Sequence, residues 1–351
     1  MVAKKFTACI VGVGRIGFSL QKDKKREQPA SHSLALFKNK FVKIVAGCDI
    51  DENKLKNWKK IYKNANTYTN IHKMLEKESP DIVVIAVNEK NHLSIALEVI
   101  KNKPKLVILE KPVAPNPEQA RLILRYSKKY KVPVSINHER RFSLDYLIVK
   151  NIIEKKQIGE IQSVFASFSS SATVYKVGSE NIGDCSLIHD GTHLIDIINF
   201  LFNIKCANPK IDNMILNSKK DVESLNFHFK EKILDNNQKT MFYFEIAGNK
   251  KYFGFDIEIR GNKGKILIGN GYLKVYERKE SPFYTGFYSL MRNKTIKRPK
   301  KTKYFSNMIE NCINFLCKKE KLSSTIKSGI KTLNIIYRII DKIKKIPHNS
   351  Y

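Results

Sequence analysis

The chain has 351 residues, 42% of them hydrophobic, which is enough for two domains with cores of their own. Its longest apolar runs, such as IVVIAV at 82–87, are far too short to cross a bilayer, and the first residues lack the apolar stretch of a signal peptide, so no membrane partner is expected. A formal net charge of +31 comes mainly from lysine. It leaves three readings: a solvated surface shaped by a Lys-, Asn- and Ile-rich composition, a field that attracts an anionic cofactor or substrate, or a nucleic-acid binder. The lysines run along the whole chain without a nucleic-acid motif, so no nucleic-acid partner is expected.

Six cysteines, at positions 9, 48, 185, 206, 312 and 317, form no CxxC pair. They read as reduced thiols of a cytoplasmic protein.

From the N-terminus, Val- and Ile-rich runs at 6–13, 42–48, 81–87, 105–110 and 132–137 alternate with helical patterns, among them 91–102 and 117–130. Continuous apolar strands between helices predict a doubly wound parallel sheet, hence a Rossmann domain over 1–140 in an α/β protein. The first run ends in GVGRIG, which supplies Gly12, Gly14 and Gly17 with Arg15 and Ile16 between the last two. In that pattern the first glycine permits a tight turn, the second lets backbone approach a pyrophosphate and the third lets helix pack on strand. Strand before and helix after are the context the motif needs.

The second run ends in GCDID. Asp49 there can accept hydrogen bonds from both ribose hydroxyls and repel a 2′-phosphate, which favours NAD, with NADP the alternative. Asp49 could instead cap the helix that follows, a role Asp51 could also fill. The glycines and Asp49 stand further apart than usual because a charged stretch at 21–31 is inserted between them.

After the third run come Asn88 and His92, and after the fourth come Glu110 and Lys111, at the edge where open α/β sheets bind ligands. Asn137, Arg140 and Arg141 follow the fifth.

Beyond residue 140 the texture changes. Strand-like runs at 160–170, 224–234, 239–248, 253–261, 264–270 and 271–278, with turns GNKG and GNG, predict an α+β domain over 141–351 built on a large, mostly antiparallel sheet. The basic stretch 292–303 reads as an exposed loop, and helices are expected at 305–318 and 324–345. The last carries Ile326, Ile330, Leu333, Ile336 or Tyr337, Ile340 and Ile343 on one side, an apolar stripe for its own domain rather than for a lipid surface.

Between the first two strand runs lies SLIHDGTHLID, at 186–196. On one helix His189 and His193 would share a face, a spacing that suits metal binding or proton transfer. Nothing nearby completes a metal site around His189, His193 and Asp196, so no metal is expected.

Taken in order, GVGRIG, GCDID, AVNEKNHLSIALEVI, EKPVA, VSINHERRF, IGEIQSV and HDGTHLIDI make the chain resemble the Gfo/Idh/MocA oxidoreductases, the family of glucose–fructose oxidoreductase and the inositol dehydrogenases. The resemblance covers almost the whole chain. It implies an NAD(P)-dependent dehydrogenase that moves hydride between the nicotinamide and a carbinol, either a sugar, an inositol or a nucleotide sugar. Lys111 would be the acid/base, since a desolvated lysine beside a cation is a usable base near neutral pH. His193 would assist.

The resemblance further assigns Asn88, His92 and Glu110 to the cofactor and Asn137, Arg140 and Arg141 to the substrate. It also implies a homodimer or homotetramer held by the broad sheet. The chain departs from the family at one place: an Asp common four residues before the histidine is His189 here, with Asp190 next to it. Either of the two could partner His193, and the change leaves room for a non-catalytic nucleotide-binding or scaffold protein of the same fold.

Overall fold

The computed structural model describes residues 5–176, 185–233 and 239–346. They fall into two units, residues 1–143 with 301–331, and residues 144–300 with 332–351.

The first unit is built on a six-stranded parallel sheet in the order β3-β2-β1-β4-β5-β6. Along the chain it runs β1 (Phe6–Val11), α1 (His32–Lys38), β2 (Val42–Cys48), α2 (Glu52–Lys59), β3 (Asn66–Tyr68), α3 (Ile71–Glu78), β4 (Ile82–Ile85), α4 (His92–Lys101), β5 (Leu106–Leu109), α5 (Pro117–Tyr130) and β6 (Val134–Ile136). The central strands β4 and β5 are buried at every residue, which is why they read as unbroken apolar runs. Helix ends follow local chemistry: Asp51 caps α2 by accepting from the amides of Asn53 and Lys54, and Asn116 caps α5 with Pro117 in its first turn. This order reverses direction between β1 and β4, and open sheets bind ligands at such a reversal.

The second unit opens with α6 (Leu144–Glu154) and β7 (Ile161–Ser169) and continues with α7 (Ser186–His189) and α8 (Gly191–Phe202). Seven more strands follow, β8 (Lys210–Leu216), β9 (Val222–Glu231) and β10 (Thr240–Ala247) as one meander on one side of β7, and β11 (Gly254–Gly261), β12 (Gly264–Gly269), β13 (Tyr272–Glu280) and β14 (Tyr288–Arg292) as another on its other side. They form one eight-stranded sheet, β14-β13-β12-β11-β7-β10-β9-β8, antiparallel except where β7 runs parallel to β10. Alternate residues such as Val164, Phe168, Phe242, Phe244, Ile257, Ile266 and Val275 join a core with Leu194, Ile197, Ile198 and Leu201 of α8. The opposite face is more open and carries Phe165, Tyr243, Glu245 and Glu258. The two predicted turns close the β11–β12 and β12–β13 hairpins, the second with Gly271 at φ +90°.

Two further helices complete the chain, α9 (Tyr304–Leu316) and α10 (Ile326–Lys344). Here the structure departs from the expected boundary, because residues 301–331 belong to the first unit rather than the second. The apolar face of α9 explains it: Phe305, Met308, Ile309, Cys312 and Ile313 are buried in the same core as Trp58, Ile82 and Leu106. The predicted stripe of α10 is buried throughout, with Ile335 and Ile339 added to it. Strands β8 and β14 were not expected from the sequence, and of the expected strand at 224–234 residue 234 lies outside the described residues.

Candidate functional site

In the first unit the glycine turn follows β1 directly. Gly12 sits at φ +90°, and a Cβ there would lie 2.4 Å from the carbonyl oxygen of Ala86. A Cβ on Gly17 would lie 2.0 Å from the carbonyl oxygen of Gly12, so the third glycine is what lets the turn fold back on itself. Gly14 differs from both, with nothing within 4 Å of where its Cβ would stand. Its open side is room for a group that approaches the backbone, which is how a pyrophosphate is held at such a turn.

Asp49, just past β2, ties the turn in place. Its Oδ2 accepts from the amide of Val13 at 3.0 Å and its Oδ1 from the amide of Asp51 at 3.0 Å. Each carboxylate oxygen keeps a lone pair for a ribose hydroxyl. The helix cap that the sequence left open between Asp49 and Asp51 is made by Asp51. Arg15 and Ile16 lie between Gly14 and Gly17, and the carbonyls of Gly14 and Arg15 accept from Phe18, Ser19 and Leu20. A dinucleotide fits these residues.

The segment inserted after this turn folds as a compact excursion and returns. His32 and Ser33, at the start of α1, donate their amides to the carbonyls of Ile16 and Gly17 at 3.0 Å each. Ser31 caps α1, accepting from the amide of Leu34. Inside the loop, Glu27 accepts from the Thr302 amide and hydroxyl and from the Lys303 amide, at 2.6–2.9 Å.

At the ends of β5 and β6 a buried polar cluster surrounds the turn that carries Lys111. The Glu110 carboxylate is 6% exposed. Its Oε1 accepts from His32 Nε2 and from Asn137 Nδ2, both at 2.6 Å, and its Oε2 accepts from the amide of Lys111 at 3.3 Å. Burial by itself would raise the pKa of Glu110, but the His32 hydrogen bond, with support from Asn137 and Lys111, holds it below the usual carboxylate range. Glu139 nearby is pushed up, first by burial and then by the charge of Glu110. His32 was not singled out from the sequence; its only signal there is a histidine next to a capping serine before the apolar run of α1.

His92 is buried, with Nδ1–H donating to the carbonyl of Pro112 at 2.8 Å and Nε2 3.2 Å from that of Val87. Burial lowers its pKa, so the ring braces the Lys111–Pro112 turn as a neutral group. Asn88 turns inward on its own loop, accepting from the Lys90 amide. Asn137 points into the cluster around Glu110. Arg141 is buried and donates to the carbonyl of Ser323 at 3.2 Å, while Arg140 is half-buried.

In the second unit the stretch 186–196 does not form one helix. It breaks at Asp190 into α7 and α8, with the Thr192 hydroxyl bonded back to the carbonyl of Ile188 at the joint. Local side-chain bonding of this kind competes with a continuous helix. His189 Nδ1 lies 3.0 Å from Asp190 Oδ1, so these two residues form a pair with each other. Asp196 is buried and accepts from the Thr332 hydroxyl at 2.8 Å. His193 is half-buried in the first turn of α8. Among the described residues no three His, Cys, Asp or Glu side chains converge as a metal cluster, and no helix is long and apolar enough to cross a membrane.

Comparison with known proteins agrees with this geometry. Residues 6–138 match an oxidoreductase family described by its NAD-binding Rossmann fold. The chain is 24% identical to inositol 2-dehydrogenase of Salmonella typhimurium over 267 residues, 73% of this chain and 72% of that one. An uncharacterized oxidoreductase of Schizosaccharomyces pombe is 29% identical over 140 residues, 38% of this chain. Against that relative the chain spans only 37% of its length. Among solved structures, an oxidoreductase from Agrobacterium radiobacter in complex with NAD+, L-tartaric acid and magnesium has the same fold, with a TM-score of 0.74, 17% identity and 97% of each chain covered.

Proposed function

We propose that this chain, whose residues 6–138 match the Gfo/Idh/MocA oxidoreductase family model, is an NAD-dependent dehydrogenase or reductase of a sugar-like carbinol. The candidate substrates are a sugar, an inositol or a nucleotide sugar. The observation that carries the reading is the glycine turn, where only Gly14 is open and Asp49 locks the turn to β2. Gly12, Gly14, Arg15, Ile16, Gly17 and Asp49 would hold the dinucleotide, with Asn88, His92 and the Glu110 backbone lining the same sheet edge.

A bound nicotinamide supplies the hydride acceptor or donor. Removing hydride from a carbinol also requires that the hydroxyl proton leave, and Lys111 Nζ is the proposed base, returning that proton in the reverse direction. His193 is the proposed assistant, with the His189–Asp190 pair replacing the carboxylate that family members commonly carry. Arg140 offers forked donors to substrate oxygens, and Arg141 and Asn137 shape the site through the bonds described above. A homodimer or homotetramer completes the proposal.

Titration with NADH and NADPH, followed by cofactor fluorescence, tests the cofactor half. NADH should bind the more tightly, and Asp49→Ala should weaken it by about tenfold, the loss of one or two hydrogen bonds. A carbinol screen with NAD+ then tests the chemistry. Lys111→Ala should keep NADH affinity within about twofold and lower kcat by about 100-fold or more. Failure to bind either cofactor would sink the dehydrogenase reading. NADH binding without turnover of any carbinol would favour a non-catalytic nucleotide-binding protein.

A further inference from the structure

The mechanism just proposed leaves His32 without a part, although it is fully buried and touches the residue before Lys111. We propose that His32 is a positioning residue, which acts through Glu110 to fix both the charge beside Lys111 and the place of the Lys111 backbone. The inference rests on the reading of Lys111 as the acid/base.

Three donors converge on one carboxylate. His32 and Asn137 share Oε1 at 2.6 Å each, and the amide of Lys111 reaches Oε2 at 3.3 Å. Glu110 is therefore bonded to the main chain of the residue whose side chain is to move a proton. His32 comes from α1, Glu110 from the end of β5 and Asn137 from the end of β6, so three elements of the nucleotide-binding unit meet at this one group.

The geometry also shows which ring nitrogen of His32 faces Glu110. Of the two ring nitrogens, Nε2 is the one with an acceptor in front of it, Glu110 Oε1. The other ring nitrogen, Nδ1, is buried without a hydrogen-bond partner among the described residues, and Phe305 packs against His32 edge to face, 4.9 Å between ring centroids. Lys111 and His92 couple electrostatically to Glu110, Glu139 couples to both Glu110 and His32, and Arg140 couples to Glu139.

A buried carboxylate with fewer donors takes up a proton more readily. Without His32, Glu110 would pass into its neutral form at a higher pH, and the Lys111 turn would lose its anionic anchor. Proton transfer at Lys111 would then depend on pH through a group that is not itself in contact with substrate.

The test reads Glu110 and Lys111 directly and needs no turnover. The carboxylic C=O infrared band of Glu110, assigned by its loss in Glu110→Gln, is followed against pH in wild type, His32→Leu and His32→Gln. Labelling of Lys111 by reductive methylation at pH 8, resolved by peptide mass spectrometry, gives the reactivity of its amine. In His32→Leu the Glu110 midpoint should rise by at least one pH unit. In His32→Gln, whose amide N–H can still donate to Oε1, it should return to within half a unit of wild type. Glu110→Gln should change the Lys111 labelling rate by threefold or more.

An unmoved Glu110 midpoint in His32→Leu, or a Lys111 rate indifferent to Glu110→Gln, overturns the proposal. If His32→Leu fails to fold, a Glu110 midpoint in His32→Gln displaced by more than one unit overturns it as well. Loss of turnover in Lys111→Ala tests the acid/base reading separately, so the two can fail independently.

Discussion

At the scale of single residues the three glycines of the turn make separable predictions, because each meets a different neighbour. Gly12→Ala and Gly17→Ala drive a methyl group to 2.4 and 2.0 Å from backbone oxygens and should lower the melting temperature together with NADH binding. Gly14→Ala meets nothing within 4 Å, so its melting temperature should stay within about 2 °C of wild type, no more than a 1 kcal/mol loss brings in a unit of this size. NADH affinity should nevertheless fall by at least tenfold, because the methyl group occupies the space of the phosphates. A Gly14→Ala protein that binds NADH normally would place the pyrophosphate elsewhere.

His92 gives a pH prediction of known sign. Burial holds its folded-state pKa below the unfolded value of about 6.5. The unfolded chain therefore gains a proton below about pH 6.5 that the folded chain refuses, and stability falls as pH drops through that window. Glu110, with its folded pKa depressed, adds a second loss at lower pH, as the solution passes below the ordinary carboxylate range. Thermal melts of His92→Gln between pH 7 and pH 5 should show a flatter pH dependence than wild type, even if the variant is less stable throughout.

At the scale of elements, α1 shows how an insertion can be absorbed. The amides of His32 and Ser33 bond to Ile16 and Gly17, so the helix resumes against the first turn after the excursion. Ser33 secures the joint: its hydroxyl donates to the carbonyl of Gly17 at 2.6 Å and accepts from Trp58 Nε1 at 2.9 Å. Ser33→Ala leaves the fully buried Trp58 N–H without an acceptor, which costs about 1–3 kcal/mol. Chemical denaturation should show that loss as a lower midpoint with an unchanged slope.

Elements were legible where one physical signal dominated. The helix Pro117–Tyr130 matches its expected span because Asn116 caps it and Pro117 opens it, and the strand Val42–Cys48 is likewise found as expected. Strand β3 has only three residues, with two of them exposed, so it shows no apolar run. Strand β14 is exposed at four of its five residues and lacks the alternation that marked its neighbours. The break at Asp190 depends on side-chain bonds that residue spacing does not reveal. The Glu110 cluster was half legible: the sequence places Glu110 and Asn137 at strand ends, but His32 joins them only through the returning insertion.

At the scale of the whole molecule the net charge and the exposed aromatics pull against each other. Two copies at +31 repel at long range. Yet β13 and β14 extend a hairpin whose outer pairs, Arg278 with Leu290 and Glu280 with Tyr288, are exposed on both strands. Phe283, Tyr284, Phe287 and Tyr288 stand exposed at or beside its tip. A two-stranded ribbon of this kind is only marginally stable alone in water, and an apolar cluster left in solvent gains by being covered.

If a second copy covers it, the association is apolar and opposed by charge, so its salt dependence has a definite sign. Raising ionic strength from about 0.05 to 0.5 M shortens the Debye length from about 14 to 4 Å, weakens the repulsion and should tighten the oligomer. An interface held by ion pairs would loosen instead. Light scattering across that range, on wild type and on the Phe283→Ser, Tyr284→Ser, Phe287→Ser triple variant, decides the matter. The expected outcome is a wild-type mass that grows with salt, a variant mass that stays lower, and equal NADH affinity in both. A variant mass equal to that of wild type at every salt concentration would leave the tip uninvolved in assembly.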